Sequence, residues 1–423
     1  MYSLIVLASS LGFSVTGSDR EEGEYAKHLL SLGYRIRIGH SEENVKNASL
    51  AVYSLAIAED NPELRYAREK GIPRFSRPEF LGALMRIFKR RIGVSGSHGK
   101  TTTTAMLDKI YSEASLLPTT LSGSVLPLHN SPLRLGGRDF LIYEACEYKD
   151  AFLSFCPSVS IFTNLELDHV DYFKSESEII NSFAKAASLP EYSVVNCDSE
   201  MLLSAAEKSG GKFIGYGECE RAEYKISNVV GAAGIYSFDI EREKNKLLSV
   251  KLGIPGRFNV YNAAAAAVTA LVEGIDKKTI EKALSEFKLP PRRLEKIGKY
   301  KASDVYYDYA HHPTEIEKTI NTLREITKER ITVIFKPHTY SRTAGFFDEF
   351  ARALSLADRI LICDVAAIRE KEISGITSEK LAEAIGEAAT RVEEKGIKEH
   401  IPDGVVVVMG AAELKPVCDE ILD

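Results

Sequence analysis

Gly93-Val94-Ser95-Gly96-Ser97-His98-Gly99-Lys100-Thr101-Thr102 carries the chain from a strand-like run at 91–94, through a glycine turn, into a helical stretch. Such a loop aims backbone N–H groups and a helix N-terminus at a phosphate, Lys100 adds a point charge, and Thr101 offers an oxygen to Mg²⁺. Gly96, Ser97, His98, Gly99, Lys100, Thr101 and Thr102 are therefore candidate ATP-binding residues. The strict spacing asks for glycine five positions before Gly99, where Val94 stands, so the loop is a shortened variant. The plainer alternative is a glycine turn with an incidental lysine.

On both sides of this loop, short β-branched runs alternate with amphipathic helical stretches, the pattern of an α/β protein with largely parallel sheets. A length of 423 residues, 44% of them apolar, suffices for about three cores. Residues 1–89 form the first segment, with runs at 14–16, 35–38 and 50–53. The second, 90–290, adds runs at 140–143, 159–162 and 193–196. Its stretch 212–252 alternates in the manner of added antiparallel strands, and an alanine-rich helix runs from Asn262 to about Glu273. Leu289-Pro290-Pro291-Arg292 reads as the linker, because proline excludes its predecessor from helix. Residues 291–423 hold runs at 305–307, 331–335, 359–363 and 405–409, a second open sheet whose ligands bind beyond the strands' carboxyl ends.

A net charge of −6 argues against nucleic acid as the main partner. No run approaches the 18 apolar residues of a membrane span, and the first residues lack the basic stretch of a secretion signal. Cys146, Cys156, Cys197, Cys219, Cys363 and Cys418 include no C-x-x-C pair, so neither zinc nor disulfides are expected, and the thiols fit a reduced cytoplasmic setting.

Further candidates lie at other strand tips. Glu144 ends the run 140–143, with Glu147 less well placed. An acid there is ordinarily a solvated loop residue, but beside a phosphate loop it becomes a metal-ligand candidate. After 159–162 come Glu166, Asp168, His169 and Asp171. His169 reads as a ligand of a second Mg²⁺, or equally the cluster reads as an N-cap group for the following helix, a role that also suits Asp171 and Ser175. Asn259 and Asn262 stand at a helix entrance and read either as adenine-facing amides or, for Asn262, as an N-cap. Asp308-Tyr309-Ala310-His311-His312-Pro313-Thr314 and Lys336-Pro337-His338-Thr339-Tyr340-Ser341-Arg342-Thr343 follow successive strands. Two such loops on one sheet edge point to a site.

Together with Arg292-Arg293 and Thr163-Asn164-Leu165-Glu166-Leu167-Asp168-His169, these strings resemble the Mur ligase family along nearly the whole chain. Within it the likeness is to the branch that joins L-alanine to UDP-N-acetylmuramate and to its tripeptide-recycling relative. In the first segment Thr16-Gly17-Ser18-Asp19 and Gly39-His40 resemble that branch's UDP-sugar domain. The resemblance implies an N-terminal Rossmann-like UDP-sugar domain, a central P-loop ATPase-type domain and a C-terminal Rossmann-like domain. It implies ATP and Mg²⁺ as cofactors, and amide formation through an acyl phosphate on the sugar's lactyl carboxylate. Lys100 would hold the phosphates, Thr101 and Glu144 a first Mg²⁺, and His169 a second. Asn259 and Asn262 would face adenine, while Arg293, Asp308 and His312 would contact phosphates or ribose. His338 and Arg342 would orient acyl phosphate and amino acid, and Ser18, Asp19 and His40 would contact the UDP-sugar.

Departures from the family pattern are Ser97 for threonine and Phe258 for histidine; Lys185 is out of place for a carbamylated metal bridge. Family members also open with a strand and a Gly-x-Gly-Gly loop, whereas here Met1 falls where the following helix begins and 4–11 reads as its body. The first sheet is therefore expected to lack its central strand and part of its pyrophosphate site, through either an internal start or weakened sugar-nucleotide binding. The competing functions are the tripeptide-recycling ligase, a non-catalytic ATP-binding relative, and a general P-loop NTPase, which leaves the His-rich loops unexplained.

Overall fold

In the computed structural model, which describes residues 1–170, 172–367 and 370–422, the first segment's strands form two separate parallel ladders. β1 (Thr16–Asp19) pairs with β2 (Arg35–Ile38), and β3 (Ala51–Tyr53) with β4 (Arg74–Ser76). Among the described residues no pairing joins the two ladders, which is the expected gap in this sheet. The run expected at 14–16 lies further on, because the turn around Gly12 delays the strand to Thr16. Helices Tyr2–Ser10 and Arg77–Met85 make up for the thin sheet by burying Leu4, Leu7, Phe80, Leu84 and Met85 against the central domain. Their approach is close: a Cβ on Gly82 would stand 2.0 Å from the Ser154 carbonyl oxygen.

The central sheet comprises β5 (Arg90–Ser95), β6 (Thr119–Leu126), β7 (Ser131–Arg134), β8 (Phe140–Glu144), β9 (Val159–Phe162), β10 (Tyr192–Asn196), β11 (Phe213–Gly217), β12 (Tyr224–Ala232), β13 (Ile235–Arg242) and β14 (Asn245–Pro255). Its order is β14-β13-β12-β11-β10-β9-β5-β8-β6-β7. β5 lies parallel between β8 and β9, so the phosphate loop, Glu144 and the tip after Phe162 emerge at one edge. Successive side chains serve opposite cores: Ile142 packs on one face, Leu141 and Tyr143 on the other. The antiparallel expectation for 212–252 holds only for β13 and β14; β11 and β12 continue the parallel run. The alanine-rich helix is Phe258–Val272, and Ala263 to Ala267 are wholly buried, their small side chains letting it lie close to helix Lys100–Glu113.

The third sheet holds β15 (Glu295–Tyr300), β16 (Ser303–Asp308), β17 (Ile331–Phe335), β18 (Arg359–Ile362), β19 (Ala389–Arg391) and β20 (Val405–Met409). Its order is β15-β16-β20-β17-β18-β19, parallel except for the hairpin strand β15. The loops after β16 and β17 face the central domain.

Candidate functional site

The phosphate loop is held by the neighbouring strand tip. Ser97 Oγ donates to the Glu166 carbonyl at 3.1 Å, His98 N donates to Asn164 Oδ1 at 2.8 Å, and Thr163 Oγ1 donates to the His98 carbonyl at 2.7 Å. Gly96 and Gly99 have φ of 137° and 84°, and a Cβ would come within 2.2 Å of Thr163 Oγ1 or 2.3 Å of Asn262 Oδ1. Only glycine fits both positions.

Lys100 turns back over its own loop. Its Nζ donates to the carbonyls of Gly96 and Ser97 and to both carboxylate oxygens of Glu147, at 3.0 and 3.1 Å. Glu147 is buried; desolvation opposes its charge, but Lys100 and His169 hold its pKa below the usual carboxylate range. Glu147, ranked below Glu144 as a metal ligand, is the carboxylate that pairs with Lys100. Glu144 closes β8 as the register partner of Val94, and its carboxylate accepts from Ser122 Oγ at 2.9 Å and Gly123 N at 2.6 Å. Thr101 is buried in the first turn of helix Lys100–Glu113, beside Thr102.

His169 faces Glu147, with Nε2 3.7 Å from Oε1, and its ring packs on Tyr148 at 4.7 Å. Its φ of 54° is in the left-handed region, as is that of Thr339 at 68°, so sparsely populated backbone occurs on both sides of the seam. Ser175 does cap helix Glu176–Ala187; Asp171, the other capping candidate, lies outside the described residues. Arg342 Nη2 donates to the buried Asp168 Oδ1 at 2.8 Å, joining the third domain to the tip that carries His169. Burial and the nearby His311 and Arg342 lower the His338 pKa to about 4, and its Nδ1 is buried without a partner among the described residues.

A cavity of about 630 Å³ lies between the central and third domains, lined by His98, Gly99, Asn262, Phe258, Arg293 and Asp308 among others. Asn259 stands behind its wall: it donates to the Pro255 carbonyl at 2.7 Å and accepts from Asn262 Nδ2 at 3.0 Å. Asp308 accepts from Leu294 N and Ala310 N at 2.6 and 2.7 Å. Burial raises its pKa to about 6 despite Arg293 and these bonds. His312 caps helix Pro313–Ile326 and stands behind the cavity-lining Glu166, 3.7 Å from its Oε2.

In the first domain Ser18 Oγ donates to Glu63 at 2.7 Å and lies 3.4 Å from His40 Nδ1, while Asp19 contributes its carbonyl to Gly39 N at 2.8 Å. Glu63, which gathers Ser18, His40 and Asn44, was missed because it sits on an ordinary polar helix. Arg77 was missed because it opens a helix that otherwise reads as core; its charge, disfavoured by burial, interacts with Cys146 and Glu144.

The donor chemistry suits a nucleoside triphosphate: a glycine loop with a lysine, a large cavity with the apolar face of Phe258, and oxygen-rich groups at the loop. Family models match along the chain, the Mur ligase family catalytic domain at residues 1–89, the Mur ligase middle domain at 94–270 and the Mur ligase glutamate ligase domain at 292–412. The UDP-N-acetylmuramate–L-alanine ligase of Caldicellulosiruptor saccharolyticus is 39% identical, covering 100% of this chain and 96% of its own. That of Aquifex aeolicus is 37% identical, with 100% and 94% covered. The crystal structure of UDP-N-acetylmuramate–alanine ligase from Thermotoga maritima superposes with a TM-score of 0.84 at 26% identity, covering 100% of this chain and 95% of that one. Among the described residues no helix is long and apolar enough to cross a membrane. The chain, from its phosphate loop to its His-rich third domain, belongs to the Mur ligase family.

Proposed function

We propose that the protein joins L-alanine to the lactyl carboxylate of UDP-N-acetylmuramate in peptidoglycan precursor synthesis, consuming ATP and releasing ADP and phosphate. The observation that carries this reading is the Arg342–Asp168 pair, which seats the third domain's second loop against the strand tip bearing His169, one strand from Lys100. Phosphoryl transfer and amine attack need groups from both domains around one water-poor space, and this contact assembles them.

Lys100 is the group that would hold the phosphates, exchanging Glu147 for them. Thr101 and Glu144 offer oxygens to Mg²⁺, and His169 and Glu147 face each other where a second ion fits; when bound, Mg²⁺ neutralises phosphate charge. Phe258 and Asn262 form the wall for adenine, supported by Asn259, with Arg293 and Asp308 opposite. His338 is neutral near pH 7, with a pKa of about 4, so it orients a partner by hydrogen bonding rather than storing a proton. Arg342, paired with Asp168, would bring its guanidinium to the reacting carboxyl. In the first domain Ser18, Asp19 and His40, organised by Glu63, form the UDP-sugar contact.

The test is phosphate release from ATP and Mg²⁺ with UDP-N-acetylmuramate and L-alanine, glycine, L-serine or the intact tripeptide. Release requiring both the sugar nucleotide and L-alanine is the expected result. Release only with the tripeptide makes the protein a recycling ligase, and silence with every amine despite ATP binding makes it non-catalytic.

A further inference from the structure

His98, Glu166 and His312 come from three different loops, after β5, β9 and β16, yet present one donor atom each, all within 4.8 Å of one another. His98 Nε2 lies 3.4 Å from Glu166 Oε2, and His312 Nδ1 lies 3.7 Å from the same oxygen. Both distances exceed the ~2.7–3.0 Å of a good charged hydrogen bond. They approach the donor–donor spacing of about 3.3 Å set by a tetrahedral ion with bonds of about 2.0–2.1 Å.

The surroundings are built as an outer shell. His98 Nδ1 lies 3.1 Å from Glu315 Oε1, a contact that turns Nε2 toward Glu166. Glu315 is itself fixed by the His311 N–H at 3.1 Å, and Glu166 Oε2 accepts from Thr314 Oγ1 at 2.6 Å. A carboxylate behind a ligating histidine is the usual way its ring is oriented and made more basic. His312 is the odd member without an ion. It is buried. Its Nε2 has no partner among the described residues. Its Nδ1 accepts from Thr314 N at 3.4 Å, which puts the ring proton on Nε2, and the same Nδ1 lies 3.7 Å from Glu166 Oε2. A cation between His312, His98 and Glu166 would share that Nδ1 lone pair and set positive charge against the carboxylate oxygen beside it.

We propose that His98, Glu166 and His312 form a binding site for Zn²⁺ or a similar late first-row divalent cation at the seam of the central and third domains. Two imidazoles and one carboxylate favour such an ion over Mg²⁺, which prefers oxygen ligands. The site is separate from the Thr101, Glu144 and His169 positions and does not depend on which amine the enzyme uses. An ion there ties the phosphate loop to the third domain and sets their approach.

The test uses the metal-stripped full-length protein in excess Mg²⁺, which fills the oxygen-rich positions. Zn²⁺ binding is measured by equilibrium dialysis, and Co²⁺ serves as a visible-absorption probe. One equivalent, with the intense absorption of four-coordinate Co²⁺, is expected in the unaltered protein. Glu166→Gln and His312→Gln, checked for folding by circular dichroism, should each weaken Zn²⁺ binding at least tenfold, roughly the effect of disturbing a ligand shell. Glu315→Gln should weaken it by about 10-fold or more, and His169→Gln should leave it unchanged. Absence of stoichiometric Zn²⁺ in the unaltered protein overturns the proposal. So does weak octahedral Co²⁺ absorption, retention of Zn²⁺ in both ligand variants, or its loss only in His169→Gln.

Discussion

The phosphate-loop seam and the first domain carry the same ingredients, with glycines at positive φ, a histidine and a carboxylate, but hold them differently. At the seam nearly every group is tied to another strand or domain: His98 to Asn164 and Glu315, Lys100 to Glu147, Arg342 to Asp168. In the first domain Ser18, His40 and Glu63 meet within one small unit whose ladders do not pair with each other. The difference teaches that order at the seam is shared between domains, whereas the first domain's groups bond within that domain, which relies on its helices' grip on the central core. Perturbing equivalent features in the two places should therefore give unequal effects.

The largest contrast comes from Lys100→Ala. ATP-dependent phosphate release should fall on the order of 10³-fold, the scale of losing a group that stabilises transferring charge. Because Glu147 then stays buried without its cation, stability should drop by about 3 kcal/mol. Lys100→Met with Glu147→Gln should recover stability in a denaturant titration but not turnover. Recovery of both would remove Lys100 from the phosphate role.

Gly99→Ala combines strained backbone with a 2.3 Å approach to Asn262, whereas Gly39→Ala at φ +91° meets open space. The first should cost about 3 kcal/mol and the second about 1 kcal/mol. Equal shifts in denaturation midpoint would break the comparison.

Asp308 sharpens it through pH. Its pKa of about 6 lies above the ordinary 3.8, so the folded state holds a proton that the unfolded chain has released. Its contribution to stability therefore falls as pH rises from about 4 to about 6 and stays flat above, a change on the order of 2–3 kcal/mol. Asp308→Asn should abolish this component, seen as a pH-dependent difference between the two proteins' unfolding curves. The smallest effect is Ser18→Ala, which removes one hydrogen bond to Glu63 and should weaken UDP-N-acetylmuramate binding by about 1 kcal/mol in calorimetry.

Much of this architecture was legible in the sequence, because parallel strands buried on both faces are β-branched runs. The expected runs 35–38, 159–162, 331–335 and 405–409 coincide with β2, β9, β17 and β20. Strands at the edges or rich in small and polar residues escaped: Thr119–Leu126, Ser131–Arg134, Glu295–Tyr300 and Ala389–Arg391 carry no continuous apolar signal. The motif residues announced themselves by type and position at strand tips. What a motif does not carry is pairing. That Glu147 rather than Glu144 grips Lys100, that Asn259 stands behind Asn262, and that Glu315 reaches His98 all follow from register and interdomain contact, which lie far apart in the chain.

The short tether before the third domain has a consequence for how the enzyme moves. Leu289 packs against both the central core and the third-domain core, and Pro290 and Pro291 follow it directly. A short link anchored at both ends holds the two domains together, so any opening would be a rotation about it and not a drift. The seam partners therefore remain at millimolar effective concentration, on the scale of short linkers, even when separated. Reclosure is an intramolecular event, independent of protein concentration, and each catalytic cycle begins with both halves of the site already within reach.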